Sequence, residues 1–168
     1  MTTSFSSPYP SSDQIKNFHH KFVTGVTAVT TLENTEPRGL IVNAFSSLSL
    51  DPPTIIVCIQ KTSSCYPHLF ARDHLGISIL AENQKDVCNL LASSGENKFQ
   101  TISWSPGPYE SPVIDGAAAW MEAEITERIQ ASTHTMFIAR VVAVNHSEHA
   151  PLLYAAGSFY DGSSLNPV

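Results

Sequence analysis

Charge is scarce in this sequence. Asp, Glu, Lys and Arg make up 14% of its 168 residues, against a usual ~25%. The net charge is −6 and no stretch clusters Lys with Arg. A sequence-independent grip on nucleic acid is therefore excluded. A surface so poor in charge implies that part of it is covered, most simply by a second copy of the chain. No apolar run approaches the ~18 residues of a membrane span, so no membrane association is expected. The opening MTTSFSSPYPSSD lacks the basic start and apolar segment of a signal peptide. Cys58, Cys65 and Cys88 show no CxxC spacing. An odd count of thiols fits a reducing compartment better than a disulfide scaffold. These absences together predict a cytoplasmic protein.

The common cofactor and nucleophile motifs are missing too. Without GxGxxG or GxxxxGK[ST] there is no Rossmann or P-loop phosphate site. Without GxSxG there is no hydrolase elbow, and without HExxH no zincin site. His19 and His20 are adjacent on a helix and point about 100° apart, which prevents joint chelation. His146 and His149 have no third ligand nearby in sequence. No metal site is expected.

What is present is a succession of short β-forming runs. Residues 1–12 read as a flexible arm. Ser12 and Asp13 can cap a short helix carrying Ile15, Phe18 and Phe22, with Gly25 to end it. VTAVTTL (26–32) is a strand, and Gly39–Ser46 returns beside it as a hairpin. Thr54–Gln60 follows Asp51-Pro52-Pro53 as a third strand. Ser63–Ala71 and Asn83–Ser93 read as helices and Leu75–Leu80 as a strand. The Gly-, Pro- and Ser-rich segment 94–115 reads as a long surface loop. In Ala117–Ile129, Glu122, Glu124 and Thr126 alternate with Met121, Ala123 and Ile125, which predicts a half-exposed strand. Thr135–Val144 and Leu152–Tyr160 complete six or seven strands. So many strands with so little helix predict a mainly β barrel with flanking short helices.

Two clusters of small hydroxyl residues fall just off strand ends, SSLSLDPP and KTSS. Ser and Thr there commonly make turns. Lys61 with the Ser63 and Ser64 hydroxyls can also hold a phosphate, joining a point charge to short donors. Amides and hydroxyls along Asn43–Ser49 can meet the polar edge of a flat heterocycle. A flat ring plus a phosphate describes a flavin.

The order of segments resembles the short-chain flavin reductases of two-component monooxygenases, the FMN-binding split-barrel family. The likeness runs from about Phe18 to about Tyr160. It rests on FVTGVTAVTT, GLIVNAFSSLSLDPPTIIVCIQKTSS, NKF, PVIDGAAAWMEAEI, THTMFIARVV and PLLY. The resemblance implies a Greek-key split barrel of six strands over residues 13–162, followed by a tail at 163–168. It implies a homodimer, FMN or FAD as cofactor, and NADH or NADPH as donor of a hydride to flavin N5. Reduced flavin would pass to a partner monooxygenase acting on a small-molecule substrate. By position, Asn43, Ala44, Phe45, Ser46 and Ser47 match the segment lining the isoalloxazine, and Lys61, Ser63 and Ser64 the ribityl-phosphate side. Lys98 and Phe99 match an Asp-Lys-Phe element near the cofactor. His134 matches the catalytic histidine of a Gly-Asp-His motif.

The chain departs from this pattern at several of those places. Ile41 and Ala44 stand where the family carries hydroxyls, and Gly-Asp-His becomes Ser132-Thr133-His134. Ala139 replaces a glycine, and AAGSFYDG carries no arginine. These departures keep a second reading open, a flavin-bound split-barrel enzyme acting directly on an organic substrate.

Overall fold

The structure, a computed structural model, describes residues 9–95 and 98–168. Most of the expected N-terminal arm, residues 1–8, and Asn97 of the NKF element lie outside the described residues. Helix α1 spans Ser12–His19. Its cap is Ser11, one residue earlier than expected. Gln14 N–H donates to Ser11 Oγ at 3.2 Å, and Ser11 N–H donates back to Gln14 Oε1 at 2.8 Å. The apolar spacing that predicts this helix is real, but none of its side chains is buried. Phe18 remains 73% exposed and Phe22, beyond the helix, 66%. Gly25 does not end the helix. It belongs to strand β1 (Thr24–Gly25), which pairs with Tyr154 and Leu153.

Strands β2 (Thr27–Glu33) and β3 (Glu36–Val42) form the expected hairpin. The strand expected over Gly39–Ser46 is cut in two. β3 stops at Val42, and β4 (Phe45–Leu50) starts beyond Asn43-Ala44 and pairs with β5 (Pro53–Gln60) instead. Ser46, Ser47 and Ser49 therefore lie within an edge strand and not in a turn. Next come α2 (Tyr66–Ala71), β6 (His74–Ile79) and α3 (Lys85–Ala92). Strands β7 (Trp104–Pro106), β8 (Pro112–Ile114), β9 (Ala119–Ala131) and β10 (His134–His146) follow. The run expected as one last strand is a hairpin of β11 (Leu152–Ala155) and β12 (Ser158–Asp161). It turns at Ala156 and Gly157, both with positive φ.

The main sheet is antiparallel and has seven strands, in the order β3-β2-β6-β9-β10-β5-β4. That is one more than the resemblance implies. One core cluster draws on both halves of this order: Val42 from β3, Val29 and Ile77 from β2 and β6, and Val57, Ile59 and Phe137 from β5 and β10. The sheet therefore wraps around a common interior, and Leu69 of α2 is buried in the same cluster. No ladder joins β3 to β4 or β5. The barrel is closed by side chains but split in its hydrogen bonding, the mainly β split-barrel architecture expected.

A second cluster lies on the outer side of β2 and β6. It contains Val26, Ala28, Leu80, Cys88, Leu91, Ile102, Ile114 and Leu152. The described part of segment 94–115 is thus not simply a surface loop, since Ile102, Ser111, Val113 and Ile114 are buried. β8 is fastened to the sheet by the Thr30 hydroxyl, which donates to Pro112 O, and by Ile114 N–H, which donates to Ser78 Oγ at 3.0 Å.

This covering also overturns the expectation for Glu122. Its side chain is fully buried beneath the loop joining β7 and β8. Tyr109 N–H and Ser111 N–H each donate to its carboxylate at 2.8 Å. The alternation along β9 is right, but both faces are covered here, and the loop's amides need an acceptor. Gly107 makes room for it, because a Cβ there would overlap Glu122 Oε2. We expect Glu122→Ala to lower stability by roughly 2–4 kcal/mol by stranding two buried donors. The urea midpoint should fall with the slope unchanged, and Glu122→Gln, which keeps one acceptor oxygen, should lose less.

Candidate flavin cleft

At the split in the barrel lies a cleft of about 730 Å³. Three pieces of backbone meet there. The first is the end of β3 and its exit, with Leu40, Ile41, Val42, Asn43 and Ala44. Cys58 N–H donates to Ala44 O at 3.0 Å and pins this link against β5. The second is the outer face of the β5–β10 pair. Thr135 and Phe137 of β10 and Val57 and Ile59 of β5 point inward. Cys58, Gln60 and His134 point to the cleft, and Gln60 and His134 are direct cross-strand partners. The third is the end of α3 with the turn beyond it, Leu91–Ser94 and Lys98. Thr62, Ser63 and Ser64 join these walls at one end.

Six sequence-predicted residues are brought together in this lining: Asn43, Ala44, Ser63, Ser64, Lys98 and His134. The other five are placed elsewhere. Phe45 is half-buried and packs against the inner core. Ser46 and Ser47 are exposed on β4, and Ser46 Oγ donates to Ser47 O at 3.1 Å. Lys61 Nζ donates to Gln130 Oε1 at 3.2 Å, at the end of β9. Phe99 lines an adjoining hollow. Cys58, Gln60 and Leu91–Ser94 line the cleft although sequence reasoning did not select them. Ser93-Ser94-Gly95 carries the same small-hydroxyl composition as KTSS, so the same criterion would have found that part.

Lys98 is the cation of the cleft. Its Nζ donates to Leu91 O at 2.8 Å. Burial pushes its ammonium below the ordinary lysine value, while Cys65 opposes the shift. Cys65 itself is pushed up to about 12, chiefly by burial, with Lys98 and Arg38 pulling the other way. At neutral pH Cys65 is thus an uncharged thiol. At the other wall, Thr133 Oγ1 lies 2.9 Å from His134 Nδ1. The threonine hydroxyl is placed to orient the imidazole. It sits in a tight turn in which Ser132 has a φ of 49°. Among the described residues, no group of three or more His, Cys, Asp and Glu is placed to hold a metal ion.

The flavin reductase like domain matches residues 19–163. The chain belongs to this family. A reductase component of a flavin-dependent trigonelline monooxygenase from Acinetobacter baylyi is 36% identical over 148 residues, covering 88% of this chain and 48% of that protein. An NADH:FMN oxidoreductase from Rhodococcus qingshengii is 35% identical, covering 84% of this chain and 77% of its own length. Among solved structures, the NADH:FAD oxidoreductase SgcE6 of Streptomyces globisporus, in complex with NAD and FAD fragments, superposes with a TM-score of 0.83. It is 30% identical and is matched over 88% of this chain and 90% of that one. The flavin reductase PheA2 gives a TM-score of 0.84 at 28% identity, over 90% of this chain and 98% of its own. The chain spans about half the length of the Acinetobacter relative, and 61% of a stachydrine N-demethylase reductase subunit from Rhizobium meliloti.

Proposed function

We propose that this flavin reductase like domain is an NAD(P)H:flavin oxidoreductase. It reduces FMN or FAD with a hydride from NADH or NADPH and supplies reduced flavin to a partner monooxygenase. The observation that carries the reading is the cleft at the split, which combines an apolar wall, a donor cluster at one end and a histidine on the β5–β10 face. The names of the relatives, reductase components of monooxygenases and NADH:FMN or NADH:FAD oxidoreductases, support the same activity and partner.

The donor set fits a flavin. When bound, the flavin supplies a conjugated ring able to accept a hydride at N5. Asn43 and Gln60 would offer side-chain amides to the polar edge of such a ring, and Ile41 and Leu91 would give it an apolar backing. Thr62, Ser63 and Ser64 offer short hydroxyl donors to a phosphate. Lys98 adds the charge, since an ammonium carries three donors and Leu91 O takes one. Lys61, committed to Gln130, contributes less. His134, steadied by Thr133, is the residue we assign to positioning the nicotinamide. Hydride transfer makes small demands on acids and bases and large ones on stacking geometry.

A homodimer and a reducing, cytoplasmic setting belong to this proposal. Phe18, Phe22, Leu48 and Leu50 are large, apolar and exposed, as a surface met by a second copy requires. The three cysteines are free thiols. No helix among the described residues is long and apolar enough to cross a membrane. Light scattering on the purified chain should return twice its 18.3 kDa; a monomer at micromolar concentration contradicts the dimer.

Anaerobic stopped flow tests the activity. Mixing the flavin-loaded protein with NADH should bleach the flavin band rapidly and saturably relative to a protein-free control. Binding without bleaching by NADH or NADPH would overturn the reductase reading. A second measurement separates the two lysines. We expect Lys98→Ala to weaken flavin binding about tenfold or more, and Lys61→Ala less than twofold, by fluorescence titration. The reverse order would return the phosphate to Lys61.

A further inference from the structure

His134 stands where packing gives way to hydrogen bonding. Strands β9 and β10 form a hairpin whose tip is Ser132-Thr133. Ile125 is the last buried residue of β9, and residues 126–131 belong to neither core. On β10 the anchor begins at Thr135, which is fully buried, with Oγ1 2.9 Å from Tyr66 Oη. The tip between these points is exposed, and Ser132 has a φ of 49°. A positive φ is unfavourable for any residue but glycine. Packing does not hold this turn in place, so something else must.

Lys61 supplies the fastening. Side chains alternate along β5. Ile59 faces the core and Gln60 the cleft, and Lys61 is absent from the cleft lining. Its backbone N–H donates to Thr133 O at 2.9 Å, one step beyond the last β5–β10 pair, Gln60 with His134. Its Nζ donates to Gln130 Oε1 at 3.2 Å, across β10 on the end of β9. One residue thus ties together the ends of three strands. Thr133 carries the tie to the site, because its Oγ1 lies 2.9 Å from His134 Nδ1. Which imidazole nitrogen keeps the proton is set by the hydrogen bond that the other makes.

We propose that Lys61 is a positioning residue for His134. It fixes the β9–β10 turn, and the Thr133 hydroxyl held there donates to Nδ1 and leaves the imidazole proton on Nε2 as a donor to the cleft. The inference rests on the reading of His134 as the residue that meets the nicotinamide. A donor is the matching group at that place, since hydride transfer delivers negative charge to the flavin. A bare nitrogen there would oppose it. Lys61 serves the site from behind the hairpin, without touching a ligand.

Two measurements test this. The first is heteronuclear NMR of the imidazole nitrogens in the flavin-free full chain, in mildly alkaline buffer, with His134 identified by its loss in His134→Gln. Its proton should lie on Nε2. Thr133→Val should populate both tautomers, and Thr133→Ser should keep the first. An Nδ1–H form in the unaltered chain, or no change in Thr133→Val, overturns the inference. The second is anaerobic stopped flow of the flavin-loaded protein with NADH. Thr133→Val should slow flavin reduction about fivefold and Lys61→Met, which keeps the backbone bond, about threefold, with flavin affinity changed less than twofold. Gln130→Met should match Lys61→Met, and replaces it should that variant fail to fold. The double variant of Lys61→Met with Thr133→Val should lose no more than Thr133→Val alone, because one hydroxyl carries both effects. Additive losses overturn the coupling and leave Lys61–Gln130 a surface contact. Weakened flavin binding in Lys61→Met gives the lysine to the phosphate and overturns the inference as well. Undiminished reduction in His134→Gln overturns the reading of His134 itself, and this inference with it.

Discussion

Everything functional in this domain follows from a sheet that curls without sealing. A hydrophobic interior pulls β3 toward β5 until Val42 and Val57 share one core, yet no hydrogen bond ladder forms across the gap. The exit of β3 and the outer β5–β10 face are left as neighbours with a space between them. Backbone polar groups along an open edge need partners. A flat molecule with a polar rim and an apolar face can meet both demands of such a seam, which a simple apolar ligand cannot.

The seam holds its shape because the opposite side of the barrel is covered twice over. β2 and β6 face the inner cluster on one side and the α3, β8 and Leu152 cluster on the other. Thr30, Ser78 and Glu122 are buried polar residues at this junction, each joined by a hydrogen bond to the β7–β8 segment. Buried polar groups of this kind cost stability unless matched, and each is matched once the hairpin lies in one position. The same layer carries α3, whose end and following turn place Leu91 and Lys98 at the cleft. A rigid rear wall and an open front come from one arrangement.

Much of this was legible in the sequence where the determining forces are local. β2, β5 and β10 announce themselves through β-branched runs, and the family likeness supplies the architecture that joins them. What escaped depends on partners distant in sequence. The serine cluster that begins at Ser46 reads as lying off the end of a strand because nothing local says that β5 will take it as part of an edge strand. β7 and β8 are three residues each, too short to show a period. Glu122 reads as solvent-facing because the chain that covers it arrives from the β7–β8 loop. In the cleft, residue types were easier to choose than directions. Lys61 and Lys98 carry the same charge at plausible places, but only the fold turns one toward Gln130 and the other toward Leu91 O.

The source of the lining residues has a consequence for how such a domain can diverge. Apart from Val42 and Leu91, the cleft is built from strand exits, turns and half-covered faces, and not from side chains fully buried in either core. Asn43, Ala44, Thr62, Ser64, Ser93 and Ser94 are all exposed. Substitutions at these positions alter what the seam touches and leave the packing that folds the barrel nearly unchanged. Ligand preference and foldability are encoded in largely separate sets of residues. Lineages of this scaffold are thereby free to drift in specificity at little risk to the barrel.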